Sequence, residues 1–302
     1  MNAWEDISSI TSLKVYIAGG EKNTRIYANG RHQIPIEIYL EARDKNGNIL
    51  IIPSDEIYSN TQFVDYKNAP VPDDFNRHEK PSEYTGPVIS TFADAERSSH
   101  CISYLSIDFA IQPFKLCVKC TASGSVYTTA LENNNGNAIP DYVLLNVLPA
   151  RSFTNQDLNF YIIQELAENN GTLKKHYLRF NGSDGIKTIR GSIEDSHWFH
   201  YKQSGSYRAF SSTTSYNVAQ LDNYYFRKEF KYTEKYGVTI HTAIGETVGL
   251  CLLTYRSNGN PSWSYNEWGN GVDCYLYDQY GNQAYIRVHV DGNENMGFFI
   301  LK

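Results

Sequence analysis

No run of about 18 uninterrupted apolar residues occurs in the 302-residue chain, so no membrane-spanning helix is expected. Positive charge is in the minority, with 27 Lys+Arg against 33 Asp+Glu, and no basic cluster interrupts that balance. A nucleic-acid partner normally requires a basic stripe, so none is expected. Cysteine is sparse and odd in number, at 5 residues, which excludes a disulfide scaffold. The opening Met1-Asn2-Ala3-Trp4-Glu5-Asp6 is acidic and has no apolar core, so no conventional signal peptide is read there. The expected location is the cytoplasm, or outside by a non-conventional export route. Phosphate-binding glycine motifs and the Gly-x-Ser-x-Gly elbow are both missing. No enzyme activity and no cofactor are therefore expected.

What is present is alternation. Leu13, Val15 and Ile17 alternate with Lys14 and Tyr16. Ile34, Ile36, Ile38 and Leu40 alternate with Pro35, Glu37, Tyr39 and Glu41. Cys101, Ser103, Leu105, Ile107 and Phe109 share one face, and Tyr104, Ser106 and Asp108 the other. Phe114, Leu116, Val118 and Cys120 alternate with Lys115, Cys117 and Lys119. Period two means half-buried strands with one face on a core. Asn46-Gly47 and the corner Asp278-Gln279-Tyr280-Gly281-Asn282 supply hairpin turns between such runs. Pro35 places its run at a sheet edge or at a strand start. Helix signals are few: Asn155–Ala167 reads as helix or strand, and residues 54–88 as a long irregular excursion.

The expected fold is all-β, with two antiparallel β-sandwich domains, long loops and little helix. A boundary near Leu148-Pro149-Ala150-Arg151 divides an N-terminal sandwich, 1–150, from a C-terminal one, 151–302, which carries an aromatic loop at 257–271. The Asp-x-x-Gly-Asn and Asn-Gly corners between alternating strands resemble those of bacterial immunoglobulin-like modules. That likeness covers two hairpins and implies immunoglobulin-like sandwiches.

Three groupings raise metal or redox chemistry. His197 and His200 lie three apart after Glu194-Asp195, but no third ligand accompanies them, so they form a weak zinc candidate. Cys117-Val118-Lys119-Cys120 has knuckle spacing, yet strand alternation puts Cys117 outward and Cys120 inward, which favours small-hydrophobe packing. Cys251 and Cys274 sit in separate apolar strands. Asp44/Asn46/Asn48 and Asp291/Asn293/Asn295 have the first spacings of a calcium loop without its glycine and terminal glutamate, and read better as turns.

The outstanding excess is aromatic: 24 Tyr beside 14 Phe and 4 Trp. Tyr16, Tyr39 and Tyr104 fall opposite the aliphatic stripes, and Tyr275 and Tyr277 add to the aromatic surface. These five mark an expected interaction surface, since tyrosine offers large contact area with a polar tip. The expected role is contact rather than catalysis: assembly into a homo-oligomer, or attachment to a protein partner. A second reading is a carbohydrate-binding, lectin-like module. Trp263, Tyr265 and Trp268 would stack on a sugar, and Asn266 and Glu267 would take its hydroxyls. A third is a β-rich toxin or virulence factor, suggested by the Ser/Thr-rich segment Tyr201–Tyr216.

Overall fold

Alternation becomes strand pairing in the computed structural model, and the chain is all-β with one short α-helix among the described residues. The backbone is described for residues 3–86, 99–109, 112–131, 140–167, 171–193, 198–202, 208–215, 228–233, 239–244, 250–257, 272–290 and 296–301. Side chains are described for 3–86, 99–109, 112–131, 140–161, 176–192, 273–289 and 297–301. By contacts the chain forms two units. The first is Met1–Arg151 with Tyr280–Asn282, and the second is Ser152–Gln279 with Gln283–Lys302.

In the first unit the strands are β1 (Ser9–Ile17), β2 (Asn23–Ala28), β3 (Ile34–Arg43), β4 (Ile49–Leu50), β5 (Thr61–Val64), β6 (Phe75–His78), β7 (Ser99–Ile107), β8 (Phe114–Ala122), β9 (Ser125–Thr128) and β10 (Val143–Pro149). They run β1-β3-β7-β2-β10-β8-β5, with β4 on β3, β6 on β7 and β9 on β8. Pairing is antiparallel except where β2 runs parallel to β10 and touches β7 at Ala28 and Ile107. Both ends of this sheet share one core: Leu13 and Val15 of β1 cluster with Ile36 and Ile38 of β3 and with Leu116 and Val118 of β8. Burying a Leu or Ile fully contributes roughly 1.5–3 kcal/mol, so this stripe carries the unit.

Two expectations change here. Residues 54–88 are not wholly irregular: Pro53 opens helix α1 (Ser54–Asn60), with Asp55 and Glu56 favourably placed in its first turn, and β5 and β6 follow. Pro35 is not at an edge, because β3 lies between β1 and β7. It is the second residue of its strand, just past the last β1 pair, Ile17 with Ile36. The strand-start reading holds because Pro35 offers only its carbonyl, which Ala18 N–H uses at 3.0 Å.

The Asp44–Asn48 corner shows why the calcium spacing is a turn. Asp44 Oδ1 accepts N–H bonds from Asn46 and Asn48, both at 2.8 Å, and Gly47 adopts φ +83°. Asp65–Ala69 repeats the device: Asp65 Oδ1 accepts from Lys67 and Ala69, and Asn68 takes φ +66°. Asp291, Asn293 and Asn295 lie outside the described residues.

In the second unit the strands are β11 (Leu158–Ala167), β12 (Gly171–Phe180), β13 (Thr188–Ile193), β14 (Trp198–Lys202), β15 (Arg208–Ser215), β16 (Lys228–Thr233), β17 (Thr239–Ile244), β18 (Leu250–Ser257), β19 (Val272–Asp278), β20 (Gln283–Val290) and β21 (Met296–Leu301). They form sheets β11-β12-β18-β15-β14 and β13-β19-β20-β21, and the pair β16-β17, all antiparallel. The segment left open between helix and strand resolves into one 3-10 turn, Asn155–Asp157, boxed by Thr154 and Asp157, and then β11. No described helix is long and apolar enough to cross a membrane.

Candidate interaction surface

The second unit's four-stranded sheet has two unlike faces. Cys274, Leu276, Ala284, Ile286 and Val288 are buried on one. The other bears Asp273, Tyr275 and Tyr277 from β19 and Gln283, Tyr285, Arg287 and His289 from β20, all at least partly open to solvent. Hairpin register decides which of them meet. Asp273 pairs with Arg287, Tyr275 with Tyr285 and Tyr277 with Gln283.

Tyr275 and Tyr285 stack, with ring centroids 4.8 Å apart and planes 14° from parallel. Such a pair contributes about 0.5–1.5 kcal/mol beyond area burial. Tyr277 lies 6.4 Å from Tyr275, with the Arg190 guanidinium 5.6 Å from its ring centroid. Arg287 grips Asp273 through two N–H···O contacts of 2.6 Å, and Tyr285 Oη donates to the same carboxylate at 2.9 Å. The Arg287 hydrogen bond, more than anything else, holds the Asp273 carboxyl below its ordinary range. On edge strand β21, Phe299 is 39% exposed and its ring sits 5.4 Å from that of His289. The result is a band of rings on a sheet face, with both charge signs beside it.

Of the five tyrosines read from sequence, the structure brings together Tyr275 and Tyr277. It adds Tyr285, Phe299, Arg190, Asp273 and Arg287, which sequence reasoning missed. A signal was available: a hairpin turning at Asp278–Asn282 with Tyr277 opposite Gln283 must place Tyr275 opposite Tyr285.

The first unit's tyrosines are differently placed. Tyr16 is half-buried under Lys22, whose Nζ stands 3.6 Å from the ring centroid. Burial first, then Asp141 and Glu37, push its hydroxyl pKa up. Tyr39 donates to Glu41 Oε1 at 2.6 Å, and burial followed by that bond pushes its hydroxyl up to about 12. Tyr104 is a correction. It is only 9% exposed, because β7 is an inner strand and Tyr104 lies between Pro35 of β3 and His78 of β6. Its ring is covered by its own chain and offers little to a partner.

Cys117 also departs from the outward reading. It is fully buried in a small second cluster with Val64 and Ala130, while Cys120 joins the main core. The two do point to opposite faces, and both thiols are free. Burial pushes Cys117 up to about 11 and Cys120 to about 12, so both stay protonated and unreactive near neutrality. Cys274 is likewise free, and the Cys251 side chain lies outside the described residues. So do His197, the His200 side chain, and Trp263, Tyr265, Asn266, Glu267 and Trp268 of the aromatic loop. Among the described residues no group of three or more His, Cys, Asp or Glu is placed to hold a metal ion. Among the described residues, β14 and β15 pair antiparallel over five positions, Trp198 with Ser212 to Lys202 with Arg208.

No family model and no curated protein matches the chain. Among solved structures, a likeness is found to one described as FdeC, a novel broadly conserved Escherichia coli adhesin eliciting protection against urinary tract infections. It has 10% identity and a TM-score of 0.23, and spans 98% of this chain and 66% of the other. A likeness of that size says nothing about partner or activity.

Proposed function

We propose that this chain works by surface contact, and that the ring-bearing face of β19, β20 and β21 is where a second copy of the chain docks. The carrying observation is the Tyr275–Tyr285 stack, flanked by Tyr277 and the exposed Phe299 on one sheet face. Rings bring contact area at low entropic cost, since each has few torsions to fix. A two-fold contact sets a patch against its own image, so the patch must not repel itself. Asp273 beside Arg287, with Arg190 at Tyr277, gives the patch both signs, and no single-sign field opposes a copy. The chain's net charge of -6 therefore has to reside mainly elsewhere.

Analytical ultracentrifugation of the full chain over a wide concentration range tests this. A monomer–dimer equilibrium is expected, weakened by Tyr275→Ser and by Phe299→Ser. A monomer at every concentration would remove the second copy as occupant and leave a different protein partner to be sought with the same face.

A further inference from the structure

We propose that Tyr275 and Tyr285 form an oxidative cross-linking site, where a haem peroxidase with hydrogen peroxide joins the two rings, carbon to carbon, as an intramolecular dityrosine. This goes beyond the contact reading and does not depend on it, since one chain alone holds both rings.

Hairpin register supplies the proximity. β19 and β20 set the two residues directly opposite each other, where cross-strand Cβ atoms stand about 4.5–5.5 Å apart. The ring centroids are 4.8 Å apart and the planes 14° from parallel. Both rings are half-open on the outer face of the sheet, so they can give up an electron to an oxidant in solution and have room to turn from the stack to edge-on contact. Holding both partners on one hairpin makes the coupling unimolecular and removes most of its entropic cost.

A proton acceptor is already in place. A phenol sheds its proton as it loses an electron, and Tyr285 Oη donates to Asp273 Oδ2 at 2.9 Å. Arg287 fixes that carboxylate through two 2.6 Å contacts, and its hydrogen bond holds the carboxyl below its ordinary range, so near neutrality Asp273 is ionised and ready to accept. Other tyrosine pairs among the described residues are less well placed. Tyr161 and Tyr177 stack at 4.9 Å and 23°, but Tyr177 is only 2% exposed. Tyr66 and Tyr142 meet edge to face at 88°, and the Lys115 ammonium stands 4.3 Å and 4.7 Å from their centroids, a positive charge that opposes loss of an electron. Tyr277 is farther from Tyr275, at 6.4 Å, and carries the Arg190 guanidinium over its ring.

The chemistry balances with peroxide as the oxidant. Each phenol gives up one electron and one proton, which leaves two neutral tyrosyl radicals. These pair as one bond between the ring carbons next to the hydroxyls. The hydrogens on those carbons then move to the oxygens and restore both phenols. Hydrogen peroxide takes up the two electrons and two protons and ends as two waters, so the chain loses two hydrogen atoms.

Mass spectrometry of the full chain after treatment with peroxidase and limiting hydrogen peroxide is the test. The expected product is a monomer two hydrogens lighter than the untreated chain, with the blue fluorescence of dityrosine. Cleavage before Asp273, Asp278 and Asp291 puts Tyr275 and Tyr285 on separate fragments, which should stay joined. Tyr275→Phe and Tyr285→Phe, which keep the rings, should each abolish the joined product, while Tyr277→Phe and Tyr280→Phe should retain it. Separate fragments from the oxidised wild type would overturn the proposal. So would joined fragments that persist in Tyr285→Phe, or a link that forms only between two chains.

Discussion

The tyrosines of β1, β3 and β7 and those of β19 and β20 look alike in sequence, each opposite an aliphatic stripe, yet they end in different surroundings. In the first unit every one is engaged by its own fold: Tyr16 by Lys22, Tyr39 by Glu41, and Tyr104 by burial. In the second, Tyr275, Tyr277 and Tyr285 lean on each other and remain half-open to solvent. Alternation decides which face a side chain takes. What else lies on that face decides whether it meets water. β3 and β7 are inner strands, and near Pro35 and Tyr104 their second face is also covered, so even Glu37 has no exposed surface, while further along β3 Tyr39 is half-open and Glu41 exposed.

Truncation separates the two groups most strongly. Tyr104→Ala removes a buried ring and should destabilise the chain by about 3–5 kcal/mol in urea titrations, the usual cost of emptying an aromatic site. Tyr277→Ala removes a half-open ring and should cost at most about 1 kcal/mol. Equal costs would erase the distinction.

Acid should expose the first unit next. His32 is 7% exposed, accepts Tyr27 N–H at Nδ1 over 3.0 Å, and packs its ring 5.0 Å from that of Tyr280 within that unit. Burial pushes its pKa down from 6.5 to about 4. The unfolded chain therefore binds the proton first as pH falls. Its contribution is full above pH 6.5, and about 3 kcal/mol is lost by about pH 4, at about 1.36 kcal/mol per unit. Unfolding curves across that window check the slope, which should flatten in His32→Gln. The second unit's Asp273–Arg287 pair, with Arg287 largely exposed, should contribute little over the same range.

The smallest effect is spectroscopic. Tyr39 should ionise near pH 12 in an ultraviolet titration. Glu41→Gln should bring it down, because a carboxylate that accepts the hydroxyl proton opposes its loss. An unmoved titration would mean that Glu41 does not hold this ring.

Much of the fold is legible in the chain itself, because strand period and corner chemistry are local. Ile36, Ile38 and Leu40 face the core as their spacing requires, and Gly47 and Gly281 take the positive φ that their hairpin corners need. The Asp44 turn is legible for the same reason. The parallel pairing of β2 with β10 is not, since their partners are about 120 residues apart and no local signal records them. The candidate site was half legible. Tyr275 and Tyr277 stand out by composition, but Tyr285 follows only once hairpin register is applied. Phe299 needs the further step from β20 to β21. The burial of Tyr104 and Cys117 depends on chain returning over them from distant positions, which alternation cannot express.

The most direct test of contact through the second unit is sedimentation of three chains at matched concentration: wild type, Tyr275→Ser with Phe299→Ser, and Tyr39→Ser. Wild type and Tyr39→Ser should sediment as the same concentration-dependent dimer, and the double variant as a folded monomer. If the double variant assembles as wild type does, or if Tyr39→Ser alone dissociates the dimer, the contact lies elsewhere.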